Sequence, residues 1–403
     1  MVDFTPFERM TARRGSGCYK WDMVPDDVLP AWVADMDFEV APAIKEALMR
    51  RVEHGVFGYE LVPEAYYDAV IGWFARRHGW HIDREWIRYT TGVVPALSAV
   101  IKALARPGDG IVLLTPVYNC FFSSVRNNGC QVVEVPLTID NNGFYRIDRA
   151  ALTAALAVPT TTMLIVCNPH NPGGRVWTRD ELLFLGNSCR DNGVVVVSDE
   201  IHCELVMPGS HYTPYATIDA GLARDAVVCC SPGKSFNTAG LQVANIITQR
   251  EDYRAAIERA LNINEVCDVN PLGVDALIAA YNECEQWLDA LNYYIKANYE
   301  CLVGHFKEHL PRYKVMPLEG TYLAWVDCRH TGLSSDEITA RLLTEARVLV
   351  NSGTMYGAAG EGFIRINLAT QRARVEELLQ RITPVLHDLG CSSLPIGEVI
   401  GSE

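Results

Sequence analysis

Six short apolar runs, each bounded by turn-forming residues, restrict this chain to few folds. They fall at Ile111–Leu114, Gln131–Val135, Met163–Cys167, Val194–Ser198, Ala226–Cys230 and Val243–Thr248. Stretches with helical spacing lie among them at Pro95–Leu104, Asp148–Leu156 and Thr178–Cys189. Strands without polar alternation are covered on both faces, so the pattern predicts an α/β unit built on a largely parallel sheet. Thr178 and Glu181 have the spacing of a capping box at the start of the third helix.

Beyond about residue 250 the pattern changes. Residues 273–309 predict one long helix between Pro271 and Pro311. A strand at Gly320–Asp327, a helix at Ser335–Ala346, a strand at Gly362–Asn367 and a helix from Gln371 to Ile382 follow, as a smaller α+β unit. The first forty or so residues carry Pro-bearing turns and are expected to pack against that unit, and the stretch 391–403 reads as a frayed tail. The expected division is 1–45 as a segment of the small domain, 46–285 as the large domain and 286–403 as the rest of the small one. A length of 403 residues suits two such units.

Composition narrows the function. The formal charge is −14, with no basic run, which excludes a nucleic-acid binder. The N-terminus has no apolar core of a signal peptide, and no stretch approaches the roughly 18 apolar residues of a membrane span. The 13 cysteines show irregular spacing and no C-x-x-C pair, so reduced thiols and a cytoplasmic location are expected.

Chemistry concentrates where the apolar runs end. One run ends in Asp199 and Glu200, the next leads into Ser231-Pro-Gly-Lys234, and a third into Asn168-Pro-His-Asn171-Pro-Gly-Gly174. Each alone has a structural explanation: a helix cap, a surface lysine, a tight turn. Together they place a carboxylate, an amine and a shaped backbone at neighbouring carboxyl strand ends, where open α/β sheets bind ligands. That set fits pyridoxal phosphate, which needs an amine for covalent attachment, a carboxylate to keep its ring nitrogen protonated, and a phosphate anchor. Thr90-Thr-Gly-Val93-Val94-Pro95 supplies a helix N-terminus for the phosphate, with the amides of Val93 and Val94 and the Ser231 hydroxyl as donors.

These residues sit in segments that resemble the fold-type I, pyridoxal-phosphate-dependent class I/II aminotransferase superfamily, and within it the MalY/PatB-type C–S β-lyases. The segments are PAWVADMDFEVAPAI (30–44), FGYELVPEAY (57–66), PVYNCFF (116–122), CNPHNPGGRVW (167–177), SDEIHCEL (198–205), SPGKSFNTAGLQ (231–242), LEGTYLAWVD (318–327) and FIRINLA (363–369). The resemblance implies a large, mostly parallel mixed-sheet α/β domain, a smaller α+β domain formed by both termini, and a homodimer with shared active sites. It assigns Lys234 to covalent cofactor binding and Cα proton transfer, Asp199 to the pyridinium nitrogen, and Asn171 to the phenolic oxygen. Tyr118 stacks on the ring near the leaving group, and Arg365 clamps the substrate carboxylate. Tyr59 reaches the neighbouring subunit's phosphate and substrate. His202 replaces a tyrosine common in aminotransferases and contacts the cofactor.

The chain departs from the pattern in three places, one of them the Pro232-Gly233 pair before the lysine. Gly173 stands where the related motif usually has Thr. Gly240-Leu241-Gln242 stands where many aminotransferases carry a phosphate-gripping arginine, which shifts anchoring onto Ser231, Tyr59 and the two valine amides. The expected reaction is β-elimination from a cysteine S-conjugate such as cystathionine, giving a thiol, pyruvate and ammonia. Transamination, a specialised lyase acting on a larger cysteine conjugate, and a binding protein without turnover are the alternatives. His305 and His309 have metal-site spacing without a third ligand, and are expected to be a solvated helix face.

Overall fold

A computed structural model describes residues 3–265 and 268–391. Seven strands form the large sheet: β1 (Ile87–Thr90), β2 (Gly110–Thr115), β3 (Gln131–Pro136), β4 (Thr161–Cys167), β5 (Val195–Asp199), β6 (Ala226–Cys230) and β7 (Ala244–Ile247). Their order is β1-β7-β6-β5-β4-β2-β3, and only β7 runs antiparallel to its neighbours. Every residue of β2 and β6 is buried, as runs without polar alternation require. Strand β3 differs from that expectation. It is one edge of the sheet, with no further strand paired beyond it among the described residues, and most of its side chains reach solvent.

The chain steps from β2 to β3 in one direction and then places β4 on the other side of β2. Such a reversal opens a crevice beyond the carboxyl ends of the strands. The register pairs Cys167 with Asp199 and Asp199 with Cys229, so β4, β5 and β6 end level and their following loops share one space.

Helices cover both faces of the sheet. Among them are α1 (Pro42–His54), α2 (Glu64–His78), α3 (Val93–Leu104) and α4 (Arg179–Asp191). The capping box of α4 forms as its sequence requires: Thr178 Oγ1 accepts the Glu181 N–H at 3.2 Å, and Glu181 Oε2 accepts the Thr178 N–H at 2.9 Å. A cap of this kind contributes about 1 kcal/mol.

The single helix expected over 273–309 is two, α5 (Pro271–Glu283) and α6 (Glu285–His309). At Cys284 the backbone leaves helical geometry, with φ −111° and ψ 18°. Tyr281, Cys284, Leu288, Leu291 and Ile295 are all buried. Apolar spacing therefore continues through the break, with neither Gly nor Pro to mark it. Helix α5 packs on α1 and α2, whereas α6 reaches α7 (Arg372–Cys391) and the small sheet.

That small sheet has four strands, β8 (Lys314–Val315), β9 (Leu323–Asp327), β10 (Asn351–Ser352) and β11 (Phe363–Asn367), in the order β8-β9-β11-β10. Leu29 and Pro30 pair in parallel with Val348 and Leu349, which joins the N-terminal segment to this unit. His305 is more than a solvated residue: its Nε2 lies 2.7 Å from Thr383 Oγ1 and ties α6 to α7. The tail expected over 391–403 lies, past residue 391, outside the described residues. The eleven cysteines whose side chains are described, Cys18 to Cys328, are free thiols. No described helix is long and apolar enough to cross a membrane.

Candidate active site

Four adjacent strand ends deliver side chains to one cleft of about 310 Å³. Tyr118 comes from the end of β2, Asn171 from β4, Asp199 and His202 from β5, and Ser231 and Lys234 from β6. Val93 and Val94 begin α3, and Arg365 enters from β11; all of these residues line the cleft. Tyr59 does not. It stands at 95% exposure on an irregular segment between α1 and α2, outside the cleft of its own chain.

Strand alternation divides the Asp199-Glu200 pair. Glu200 is fully buried and turns away from the cleft, accepting from the Tyr212 hydroxyl, the Tyr215 N–H (2.9 Å), Ser198 (2.9 Å) and Asn168 (3.2 Å). Its work is structural. Asp199 faces the cleft with one bond, from the Ile201 N–H at 3.1 Å. Burial pushes its carboxyl up to about 7, and Lys234 only partly offsets this. A buried carboxylate short of positive partners is suited to a cationic ligand group.

Lys234 is buried at its tip and its Nζ donates to the Ala34 carbonyl at 2.5 Å. Burial, then the nearby Arg365 charge, pulls its amine down to about 8. A lysine of this kind is partly unprotonated near neutral pH, as a nucleophile or base must be. Ala34 also accepts from the Tyr322 hydroxyl at 3.0 Å.

Arg365 donates to Asn171 Oδ1 at 3.1 Å and to the Trp32 carbonyl at 2.8 Å, and lies over the Tyr356 ring. Its buried Nε has no partner. His202 meets Tyr322 edge-on, and burial pulls its imidazole down to about 3, so it is neutral. Its Nδ1 is likewise unpartnered. Tyr118 stands edge-on to Phe121, and burial lifts its phenol above the ordinary range.

Helix α3 aims its N-terminus into the cleft. Its first N–H groups have no intrahelical acceptor and make a ready anion cradle. The hydroxyl of Ser231 is already committed, donating to the Val243 carbonyl at 2.6 Å and accepting the Gly233 N–H at 3.0 Å. It shapes the lysine loop, and the α3 amides carry the cradle. Gly173 is closely packed: a Cβ there would stand 2.8 Å from the Tyr145 ring and from His170 Nδ1, so this backbone admits no side chain.

The residues fit pyridoxal phosphate. The under-compensated acid of Asp199, the lowered Lys234 amine, the α3 cradle and the unpartnered Arg365 Nε are the four features such a group and its amino-acid substrate require. Several walls of the cleft carry no signature in the sequence. Val33 and Ala34 line it from the WVADMDF segment, Asn351 and Tyr356 from the small unit, and Gln242 from the position without the arginine. The WVADMDF segment was a signal of kinship, but a backbone carbonyl leaves no residue-type signature.

Residues 33–382 match the family Aminotransferase class I and II. The chain belongs to that family. Among its relatives is the cystathionine beta-lyase PatB of Bacillus subtilis, 40% identical over 385 residues, which cover 94% of this chain and 99% of the relative. Protein MalY of Escherichia coli is 33% identical over 378 residues, covering 92% and 96%. The fold is that of cystalysin from Treponema denticola, a structure containing a pyridoxal 5'-phosphate cofactor. The TM-score is 0.92 at 34% identity, covering 96% of this chain and all of that one. This member of the aminotransferase family therefore has the fold-type I architecture that the resemblance implies, on the largely parallel α/β sheet its strand pattern predicts.

Proposed function

We propose that the protein is a pyridoxal-phosphate-dependent C–S β-lyase that cleaves cysteine S-conjugates such as L-cystathionine to a thiol, pyruvate and ammonia. The observation that carries this reading is the convergence of Lys234, Asp199, Arg365 and a protonated Tyr118 on one cleft in a chain 40% identical to a cystathionine beta-lyase.

Pyridoxal phosphate, when bound, supplies an electron sink conjugated to the substrate Cα. Asp199 would keep its ring nitrogen protonated, Asn171 would donate to its phenolic oxygen, and the Val93 and Val94 amides would hold its phosphate. His202 presents a neutral imidazole to the cleft, edge-on to Tyr322. Arg365 binds the substrate carboxylate in a planar, two-bond geometry that a lysine cannot reproduce. Lys234 takes the Cα proton. Tyr118, which lines the cleft, would give its phenolic proton to the departing sulfur.

Tyr59 completes the site of a second copy, in a homodimer. Its exposure supports this, as does the neighbouring run of exposed Val52, Val56, Phe57 and Leu61. The division into 46–285 and a small unit made from both termini is supported by the pairing of Leu29 with Val348. Free thiols at the described cysteines support a cytoplasmic location.

The test is to mix the loaded protein with L-cystathionine and follow pyruvate, free thiol and the cofactor's visible absorbance together. Equal pyruvate and thiol with the absorbance regained supports the lyase. Conversion to the pyridoxamine form, reversed only by an added keto acid, replaces it with a transaminase.

A further inference from the structure

Asn237 lies three residues beyond Lys234, on the same loop, and is held in the left-handed region at φ 55°. Its side chain reaches across the cleft wall to the strap formed by residues 33–38. Oδ1 accepts the Met36 N–H at 3.1 Å, and Nδ2 donates to the Met36 carbonyl at 3.1 Å and the Phe38 carbonyl at 2.9 Å. One side chain thus holds three backbone groups of the strap. Two residues earlier, the strap presents the Ala34 carbonyl to Lys234 Nζ.

On its other side the strap is pinned by Asp37. Its buried carboxylate accepts from Lys20 Nζ at 3.0 Å and Trp21 Nε1 at 2.8 Å. The strap is therefore stiff, and Asn237 is its fastening to the lysine loop. A free lysine amine on a four-carbon stem samples many rotamers. An acceptor at fixed distance takes one of its N–H bonds and so settles where the lone pair points.

We propose that Asn237 is a positioning residue: it fastens the strap to the lysine loop and so keeps the Ala34 carbonyl in place to orient the Lys234 amine. This rests on the reading of Lys234 as the group that takes the Cα proton. Asparagine suits the task because it tolerates positive φ and offers both a donor and an acceptor.

The test compares the full-length wild type with Asn237→Gly, which keeps the backbone freedom, and Asn237→Asp, which keeps the acceptor and loses both donors. Amide hydrogen exchange is read on the cofactor-free proteins. Turnover of L-cystathionine and solvent-deuterium wash-in at Cα of L-alanine are read on the loaded ones. For Asn237→Gly the expected result is roughly tenfold faster exchange over 32–38, with Ala226–Cys230 unchanged. Its kcat and wash-in rate should fall about tenfold to a hundredfold at little-changed KM, with Asn237→Asp in between.

Unchanged kcat and wash-in, or their loss with exchange over 32–38 unaltered, overturns the proposal. Faster exchange spread equally through the large sheet also overturns it, since the role is then general stability. If the glycine variant fails to fold, the aspartate variant is held to the same criteria. Wild type that washes in deuterium but makes no pyruvate removes the lyase reading alone, and wash-in then carries the comparison.

Discussion

Arg365 donates through Nη1 to Asn171 Oδ1 at 3.1 Å, and because an arginine only donates, this contact fixes which way the Asn171 amide faces. The oxygen is committed to Arg365, and the Nδ2 donors are left for the cleft. Two residues 194 positions apart, one from each sheet, thus set each other's orientation. Replacing Asn171 by Asp puts a carboxylate against the guanidinium, in competition with the substrate's own. Asn171→Asp should raise KM for L-cystathionine about tenfold or more, with a smaller fall in kcat, measured by initial pyruvate formation.

Arg365→Lys loses the planar fork, the Trp32 carbonyl contact and the stacking over Tyr356 while keeping the charge. A tenfold to hundredfold rise in KM is expected, roughly what the one charge-assisted bond that a lysine cannot replace is worth. A KM within twofold of wild type in steady-state assays would remove Arg365 from carboxylate binding.

On the proposed roles, Lys234→Ala removes both the attachment point and the proton carrier. The visible absorbance of the lysine-bound cofactor should disappear, and pyruvate formation should fall by more than about a thousandfold. Full activity in this variant would sink the mechanism.

The acid of Asp199 gives a pH-dependent stability effect of defined sign. Its folded pKa, about 7, lies above the unfolded 3.8, so the folded state binds the extra proton between those values. In the cofactor-free protein this group therefore destabilises the fold increasingly as pH rises from 4 to 7, and by a constant amount above. Asp199→Asn should then melt higher than wild type at pH 8, by roughly 3 °C or more. The gap should close towards pH 4 in thermal denaturation of cofactor-free samples. With the cofactor bound the order should reverse, since only the carboxylate can neutralise the ring nitrogen.

Tyr59 makes the dimer testable by complementation. Inactive Tyr59→Ala and Lys234→Ala chains, mixed and reassembled, form hybrids with one intact site. Recovery of about a quarter of wild-type activity is expected from random pairing. No recovery would place Tyr59 outside the partner's site.

Much of this was legible in the sequence because burial on both faces writes itself as unbroken apolar runs. Strands Ala226–Cys230 and Thr161–Cys167 lay within a residue or two of their expected bounds, and the polar residues after them met in one cleft. Three things were not legible. The break at Cys284 keeps the apolar spacing intact, so periodicity cannot detect it. Strand β1 is short and pairs far along the chain with β7, a contact no local pattern encodes. The Ala34 carbonyl and the spent hydroxyl of Ser231 are matters of backbone and hydrogen-bond geometry, which residue identity does not specify.

The pairing of Leu29 with Val348 has a consequence for how the molecule can be divided. The lysine, the ring-facing acid and the α3 amides all lie between residues 46 and 285. The lysine's seat at Ala34 and the carboxylate clamp at Arg365 lie outside it, on two stretches joined at opposite ends of the chain. Shortening the chain from its beginning would therefore remove the Ala34 and Trp32 carbonyls that seat Lys234 and Arg365, while leaving both of those side chains, Asp199 and the α3 amides in the chain.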